Sequence, residues 1–247
     1  MYPLVQPIDR ERPAAGRPER HHVHCADVTS YPGARYPARV KLEGRYTSLE
    51  PLDATAHADA LFEATRGRGN DDLWLYLADG PFDSAAEFRD EIARKAVSAD
   101  AVFFAILDPS RARPIGYASY MRIEPAHGVI EVGNVLFSRE LQGTTGATEA
   151  MYLMARHAFE DLGYRRYEWK CNALNAPSRA AALRLGFTFE GIFRQHMVIK
   201  DRNRDTAWFS MIDGEWPRLK AAFDRWLDPS NFDAQGRQRA TLRSFRE

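Results

Sequence analysis

The residues best suited to chemistry lie between Glu131 and Gly186. The stretch Val135 to Ala150, VLFSRELQGTTGATEA, carries a strand pattern into a run of small residues, Gly143-Thr144-Thr145-Gly146-Ala147, which opens a long helix. The first N–H groups of a helix have no intrahelical acceptor and sit at the positive end of its dipole. Small side chains let an anion reach that bare backbone, and a pyrophosphate is a fitting guest. A plain strand-to-helix turn would use the same small residues for packing. Thr144, Thr145 and Thr148 can add hydroxyl donors. The loop has neither the Gly-Lys-Ser/Thr of a P-loop nor the G-x-G-x-x-G of a dinucleotide fold. Upstream, Glu131 interrupts the apolar strand VIEVGNVLF. Burial there would raise its pKa toward that of a working base, and the competing reading is a rim glutamate paired with an arginine. Downstream, Ser178 follows Asn175 by three residues, so both side chains gather at one helix end. Cys171 on an apolar strand reads as inert core. His157 reads as an exposed helix residue, and Tyr152 as facing away from the helix's apolar stripe. The string His21-His22-Val23-His24-Cys25 has no second ligand cluster nearby, so no metal is expected.

These residues need a scaffold. The spacing predicts a strand over Glu43–Glu50, helices over 54–65 and 84–97, and strands over 101–107, 114–123 and 129–137. Ala147, Ala150, Met151, Met154, Ala155, Ala158 and Leu162 form one helical stripe, with Gly163 placed to end it in a left-handed cap. A strand at Tyr167–Cys171 and a short helix follow; Asn175 caps that helix, Pro177 lies in its first turn and Gly186 ends it. Strands Phe187–Ile199 and Asp205–Ile212 flank the turn Asp201 to Arg204, and Glu215–Leu227 is a last amphipathic helix. The order predicts a mixed α/β fold around one sheet, over residues 41–227. Residues 1–40 hold six of the fourteen prolines and read as an extended arm, while 228–247 read as a loose tail.

Composition removes other classes. The 247 residues are 45% hydrophobic and 28% charged, so the chain is neither disordered throughout nor a disulfide-stapled miniprotein. No apolar run approaches the roughly 20 residues of a membrane helix, and no secretory signal is visible; a soluble, cytoplasmic protein is the expectation. Thirty-four basic residues balance thirty-four acidic ones, which argues against nucleic acid as a partner. The oligomeric state is not fixed by the sequence, and a homodimer is compatible with it.

Gln142-Gly143-Thr144-Thr145-Gly146-Ala147 resembles the Q/R-x-x-G-x-G/A signature of the GNAT N-acetyltransferase superfamily. Ala147-Thr148-Glu149-Ala150, and the block from Asn175 through Ser178 to Gly186-Phe187, resemble its RimJ/RimL-type branch. The resemblance spans roughly residues 41–215. It implies the GNAT fold, a central, mostly antiparallel sheet with flanking helices, and an enzyme that moves acetyl from acetyl-CoA directly to a primary amine, either a protein N-terminus or a small molecule. It further implies that Leu136 and Phe137 offer backbone groups to pantetheine, that residues 142–147 hold the pyrophosphate, and that Asn175 touches the cofactor. Glu131 is implied as general base and Ser178 as the acid that protonates the thiolate, with Tyr152, Tyr164 and Tyr167 as alternative acids. One departure stands out. The family's central glycine is Thr145 here, and Gly146 falls one place later, so either the loop shifts with Gly146 taking the unusual dihedrals or the pyrophosphate contact is altered. The alternatives are an acyl-CoA-binding protein without turnover, and an aminoacyl transferase on the same fold.

Overall fold

A computed structural model describes residues 28, 31–108, 110 and 112–247. The string at 21–25 and most of the N-terminal arm lie outside the described residues. Met1–Tyr31 and Pro32–Glu247 are separate units. In the second unit the chain runs β1 (Leu42–Glu43), β2 (Ser48–Pro51), α1 (Ala54–Thr65), α2 (Ala85–Ala96), β3 (Ala101–Asp108), β4 (Arg113–Glu124) and β5 (Val129–Phe137). It continues through α3 (Thr145–Arg156), β6 (Arg166–Asn172), α4 (Ala176–Leu185), β7 (Thr188–Ile199), β8 (Arg202–Ile212) and α5 (Trp216–Trp226). The strand expected at 43–50 is instead the hairpin β1–β2, because Gly44 to Thr47 turn the chain back on itself. The long helix finishes in a π turn, His157–Asp161, before Gly163 at φ 80°.

Eight strands among the described residues form one sheet in the order β1-β2-β3-β4-β5-β6-β8-β7. Each neighbouring pair is antiparallel except β5–β6. Two helical layers cover it unequally. Phe103, Ala105 and Tyr117 pack under α1 and α2 with Leu61, Phe88 and Ile92. The other face, with Phe104, Tyr120, Tyr167 and Phe209, packs under α3, α4 and α5. On the α1–α2 face the helices cover β3 and β4, while β6 and β8 present the polar residues Glu168, Lys170, Thr206 and Arg204 there.

Several side chains lie elsewhere than the sequence suggested. His157 is buried, its Nδ1 3.3 Å from the Tyr120 hydroxyl, because the π turn rotates it inward. Tyr152 is also buried, against Trp216 and Phe223, and donates to Asp224 at 2.5 Å; burial and that carboxylate push its pKa up to about 12. The last twenty residues are held, not loose. Asn231 and Leu242 are buried, and Arg225 donates to the Phe245 carbonyl at 2.7 Å.

Glu149 fixes the start of α3 to the rest of the chain. This buried carboxylate accepts from the backbone N–H groups of Arg45, Tyr46 and Thr47 at 2.9, 2.5 and 2.9 Å. The β1–β2 turn is thereby clamped against the helix. Glu149→Ala strands three donors, buried at Thr47 and part-buried at Arg45 and Tyr46, and orphaning a buried group costs about 1–3 kcal/mol. Urea unfolding of this variant is expected to show a loss of about 3 kcal/mol or more, with Glu149→Gln intermediate.

Candidate active site

Strands β5 and β6 pair over four residues, from Val129↔Arg166 to Val132↔Trp169, and then part. The pairing of β4 with β5 slips at the same place, between Ser119↔Gly133 and Tyr117↔Leu136, where Asn134 adopts φ 50°. Beyond Val132, β5 therefore runs on with no β6 partner. A cleft of about 1190 Å³ occupies the gap. Its lining draws on both faces of the sheet: Met151, Ser178 and Ala181 on the α3–α4 side, Glu131, Lys170 and Arg204 on the other. The cleft thus passes through the sheet.

At one end stands the loop 142–147. Gly143 takes φ 74°, not Gly146, and a Cβ on Gly143 would meet nothing within 4 Å. Thr144 is the N-cap of α3, its hydroxyl accepting from Ala147 at 3.1 Å. Thr145 is the first helical residue. Gly146 lies in the first turn, where a Cβ would sit 2.9 Å from the Tyr46 carbonyl. The Gly146 position is thus dictated by the β1–β2 turn, and the left-handed residue is Gly143. The N–H groups of Gly143, Thr145 and Gly146 have no acceptor among the described residues. Gln142 donates to the Phe137 carbonyl at 3.1 Å and closes the turn. Val135 and Phe137 line the cleft. Leu136 packs on the opposite side with Tyr117, and its carbonyl faces Gly116, where a Cβ would come within 2.6 Å.

The α4 end of the cleft carries Asn175 and Ser178. Asn175 caps α4 by accepting from the Ser178 N–H at 3.1 Å. The Ser178 hydroxyl accepts from the Trp169 indole N–H at 3.0 Å, which leaves its own proton to donate. Burial raises the pKa of the Cys171 thiol, and the Ser178 hydroxyl pulls against that rise.

On the far face the charged groups form a chain. The Glu131 Oε2 lies 3.0 Å from both Arg122 Nε and Lys170 Nζ. Lys170, its side chain 4% exposed, also meets Glu168 at 2.5 Å and sits 3.6 Å from the centre of the Trp208 ring. Arg166 bridges Glu168 and Glu190 at 2.7 and 2.5 Å. Burial raises the Glu131 pKa, and the two cations pull against it. Glu131 is thus paired with an arginine, yet buried and on the cleft. Arg122 itself adopts φ 46° to reach it. Lys170 escaped the sequence reading. The signal was there in RYEWKCN, where Tyr167, Trp169 and Cys171 alternate with Glu168 and Lys170, a two-faced strand with charges on one side.

A segment ahead of α2 roofs this end. Tyr76 donates to the Leu174 carbonyl at 3.2 Å, and Arg139 pairs with Asp72. Lys200, at the tip of the β7–β8 hairpin, donates to the carbonyls of Trp74, Asp79 and Gly80 at 3.0, 2.9 and 2.6 Å.

A splayed parallel pair leading to a bare helix N-terminus has counterparts. The family model described as an acetyltransferase (GNAT) domain matches residues 47–188, more than half of the chain. The chain belongs to the GNAT acetyltransferase family. A GCN5-related N-acetyltransferase from Brucella melitensis, known from its crystal structure, is 47% identical with a TM-score of 0.85, over 87% of this chain and 97% of that one. The Bacillus subtilis (strain 168) protein named "Putative ribosomal N-acetyltransferase YdaF" is 27% identical over 68% of this chain and 90% of its own. The ribosomal-protein-serine acetyltransferase of Escherichia coli (strain K12) is 32% identical over 40% of this chain and 54% of its own. Relatives with these names support the RimJ/RimL-like branch. As a GNAT enzyme the protein is an acyltransferase that moves acetyl to an amine, in a family that uses acetyl-CoA. No helix among the described residues is long and apolar enough to cross a membrane, and none of their side chains group as a metal site.

Lys170→Met tests the charge chain. It leaves Glu131 and Glu168, which are register partners, as facing carboxylates, and breaking a buried pair costs about 3–5 kcal/mol. Glu131, already held above its ordinary range, rises further without the ammonium. A carboxyl whose folded pKa exceeds its unfolded one stabilises at low pH and loses that contribution as pH rises through the folded value. The deficit of this variant in urea unfolding is therefore expected to be largest at neutral pH and to shrink toward about pH 5.

Proposed function

We propose that this GNAT enzyme binds acetyl-CoA with the pyrophosphate on loop 142–147 and transfers the acetyl group to a primary amine reaching Glu131 from the opposite face. The observation that carries the reading is the set of acceptor-less N–H groups at Gly143, Thr145 and Gly146, at the mouth of a cleft that leads through the sheet to Glu131 and Ser178. Those donors and the α3 dipole suit two phosphates. The hydroxyls of Thr144 and Thr145 border the same place, Ala147 allows close approach, and Gln142 holds the turn. Main-chain groups of Val135 and Phe137, unpaired by β6, suit the pantetheine amides better than those of Leu136. Asn175 places the start of α4 beside the thioester.

Bound there, acetyl-CoA supplies the activated acetyl group. The chain's residues supply proton handling and position. Glu131 takes the proton of the incoming amine through a water; burial raises its pKa, while Lys170 and Arg122 pull against that rise. Unpaired β5 N–H groups beyond Val132 face the position where negative charge develops on the acetyl oxygen. Ser178, oriented by Trp169, gives a proton to the departing sulfur. Tyr167 fits that role poorly, because burial lifts its pKa well above the ordinary value and its ring lies in the core.

Thr145→Asp puts a carboxylate where the phosphates would lie, yet an acid in the first turn favours the helix itself. Calorimetry is expected to show acetyl-CoA affinity at least about tenfold weaker with thermal stability retained; unchanged affinity removes the loop from the cofactor site. Glu131→Gln is expected to lower kcat/KM by about 10²- to 10⁴-fold and to abolish the fall in activity on the acidic side of the pH profile. Ser178→Ala should lower kcat, with rescue by a thioester whose thiolate leaves without a proton. A Gln variant with normal kcat/KM takes Glu131 out of the mechanism.

A further inference from the structure

The charged face beside Glu131 is not balanced. Arg122, Lys170 and Arg166 are matched by Glu131, Glu168 and Glu190 through direct ion pairs. Arg204 lies outside that ledger. It stands on β8 two residues from Thr206, on the same face as Trp208, and lines the cleft. Its Nε donates to the Thr206 hydroxyl at 3.2 Å, which fixes the guanidinium plane, and no carboxylate pairs with it among the described residues. The group is half-buried, so solvent screens it only in part. Burial lowers its pKa slightly without discharging it, since a guanidinium stays protonated in proteins. His196 is bonded through Nδ1 to the same Thr206 hydroxyl at 3.0 Å, and burial and the surrounding cations Arg122, Arg204 and Lys170 lower its pKa. It adds a ring nitrogen to the cleft wall.

A half-buried guanidinium with its fork unfilled is built to receive a planar anion in bidentate fashion. It shares a cleft with the group that takes the amine's proton and is near enough to feel Glu131 electrostatically. We infer that the acetyl acceptor is an amine that also carries a carboxylate, held on Arg204 while its amino group faces Glu131. This rests on the acetyl-transfer reading above and adds the substrate class to it. The carboxylate can be the α-carboxylate of a free amino acid or an acidic side chain at the start of a peptide.

The test uses matched acceptors on the full chain with acetyl-CoA, followed by release of free thiol. One set pairs each free amino acid with its amide; the other pairs tetrapeptides bearing Asp or Glu in the first two positions with their Asn or Gln counterparts. The charged member of at least one set is expected to exceed its neutral partner in kcat/KM by about tenfold or more, as one charge-assisted bidentate contact allows. Which set shows the preference identifies the source of the carboxylate. Arg204→Gln should erase the preference through KM, Arg204→Lys should restore part of it, and acetyl-CoA affinity should stay within about twofold of wild type in both. Equal turnover of charged and neutral partners by wild type, or a preference that survives Arg204→Gln, overturns the inference while leaving acetyl transfer intact. If no acceptor releases thiol, the transfer reading is what has failed. Calorimetry of the same pairs on the protein without acetyl-CoA then decides the inference: tighter binding of the charged member, lost in Arg204→Gln, supports it, and equal binding refutes it.

Discussion

Everything the cleft does depends on two strands that agree for four residues and then separate. A parallel pair held along its whole length would satisfy its own backbone and leave no room between. Here the slipped register against β4 and the left-handed Asn134 turn the second half of β5 away from β6. The cost is a stretch of strand whose main-chain groups lack a neighbour, which a protein tolerates where a ligand completes the pairing. The same separation delivers β5 to the loop that starts α3. Glu149 then holds that helix to the first hairpin through three N–H bonds, so the gap cannot close by letting the helix slide.

The far wall answers a second physical problem. Helices α1 and α2 cover only part of their face of the sheet, and the uncovered part lies over β6 and β8. Putting charge there rather than apolar surface keeps the face wettable, but several of the charges are nearly buried. Pairing each with the next in line compensates the desolvation that an isolated ion would suffer. Three of the six non-glycine residues with positive φ among the described residues, Arg122, Asn134 and Gln195, lie in the same region. Such conformations persist where the surroundings over-determine them, as they do around a binding site.

Much of this was legible in the amino-acid order, and the rest was hidden for definite reasons. The helix at 54–65 follows from its spacing, and Asn175 accepts an N–H of the first turn of α4 as its capping position predicts. The Gly-Thr-Thr-Gly loop announces itself by its small residues. Which glycine takes the left-handed turn does not: Gly143 takes it, while Gly146 is kept small by the Tyr46 carbonyl a hundred residues earlier. The pairing of Glu131 was out of reach: alternation puts Lys170 on the charged face of its strand, but only the parallel pairing brings it to Glu131, and Arg122 is brought in by a bulge. His157 looked like surface because a regular helix was assumed, and a π turn moved it inward. The ordered tail escaped because its anchors, Asn231 and Leu242, are single residues without a period.

A passage that pierces a sheet has two doorways, one on each side of the molecule. Donor and acceptor entering by separate doorways do not compete for the same space, and neither must leave before the other arrives. With entry by the proposed separate routes, initial-velocity lines drawn against one at fixed levels of the other would intersect instead of running parallel. A bulky acceptor, moreover, can rest outside its doorway and extend only its first few atoms into the wall between them.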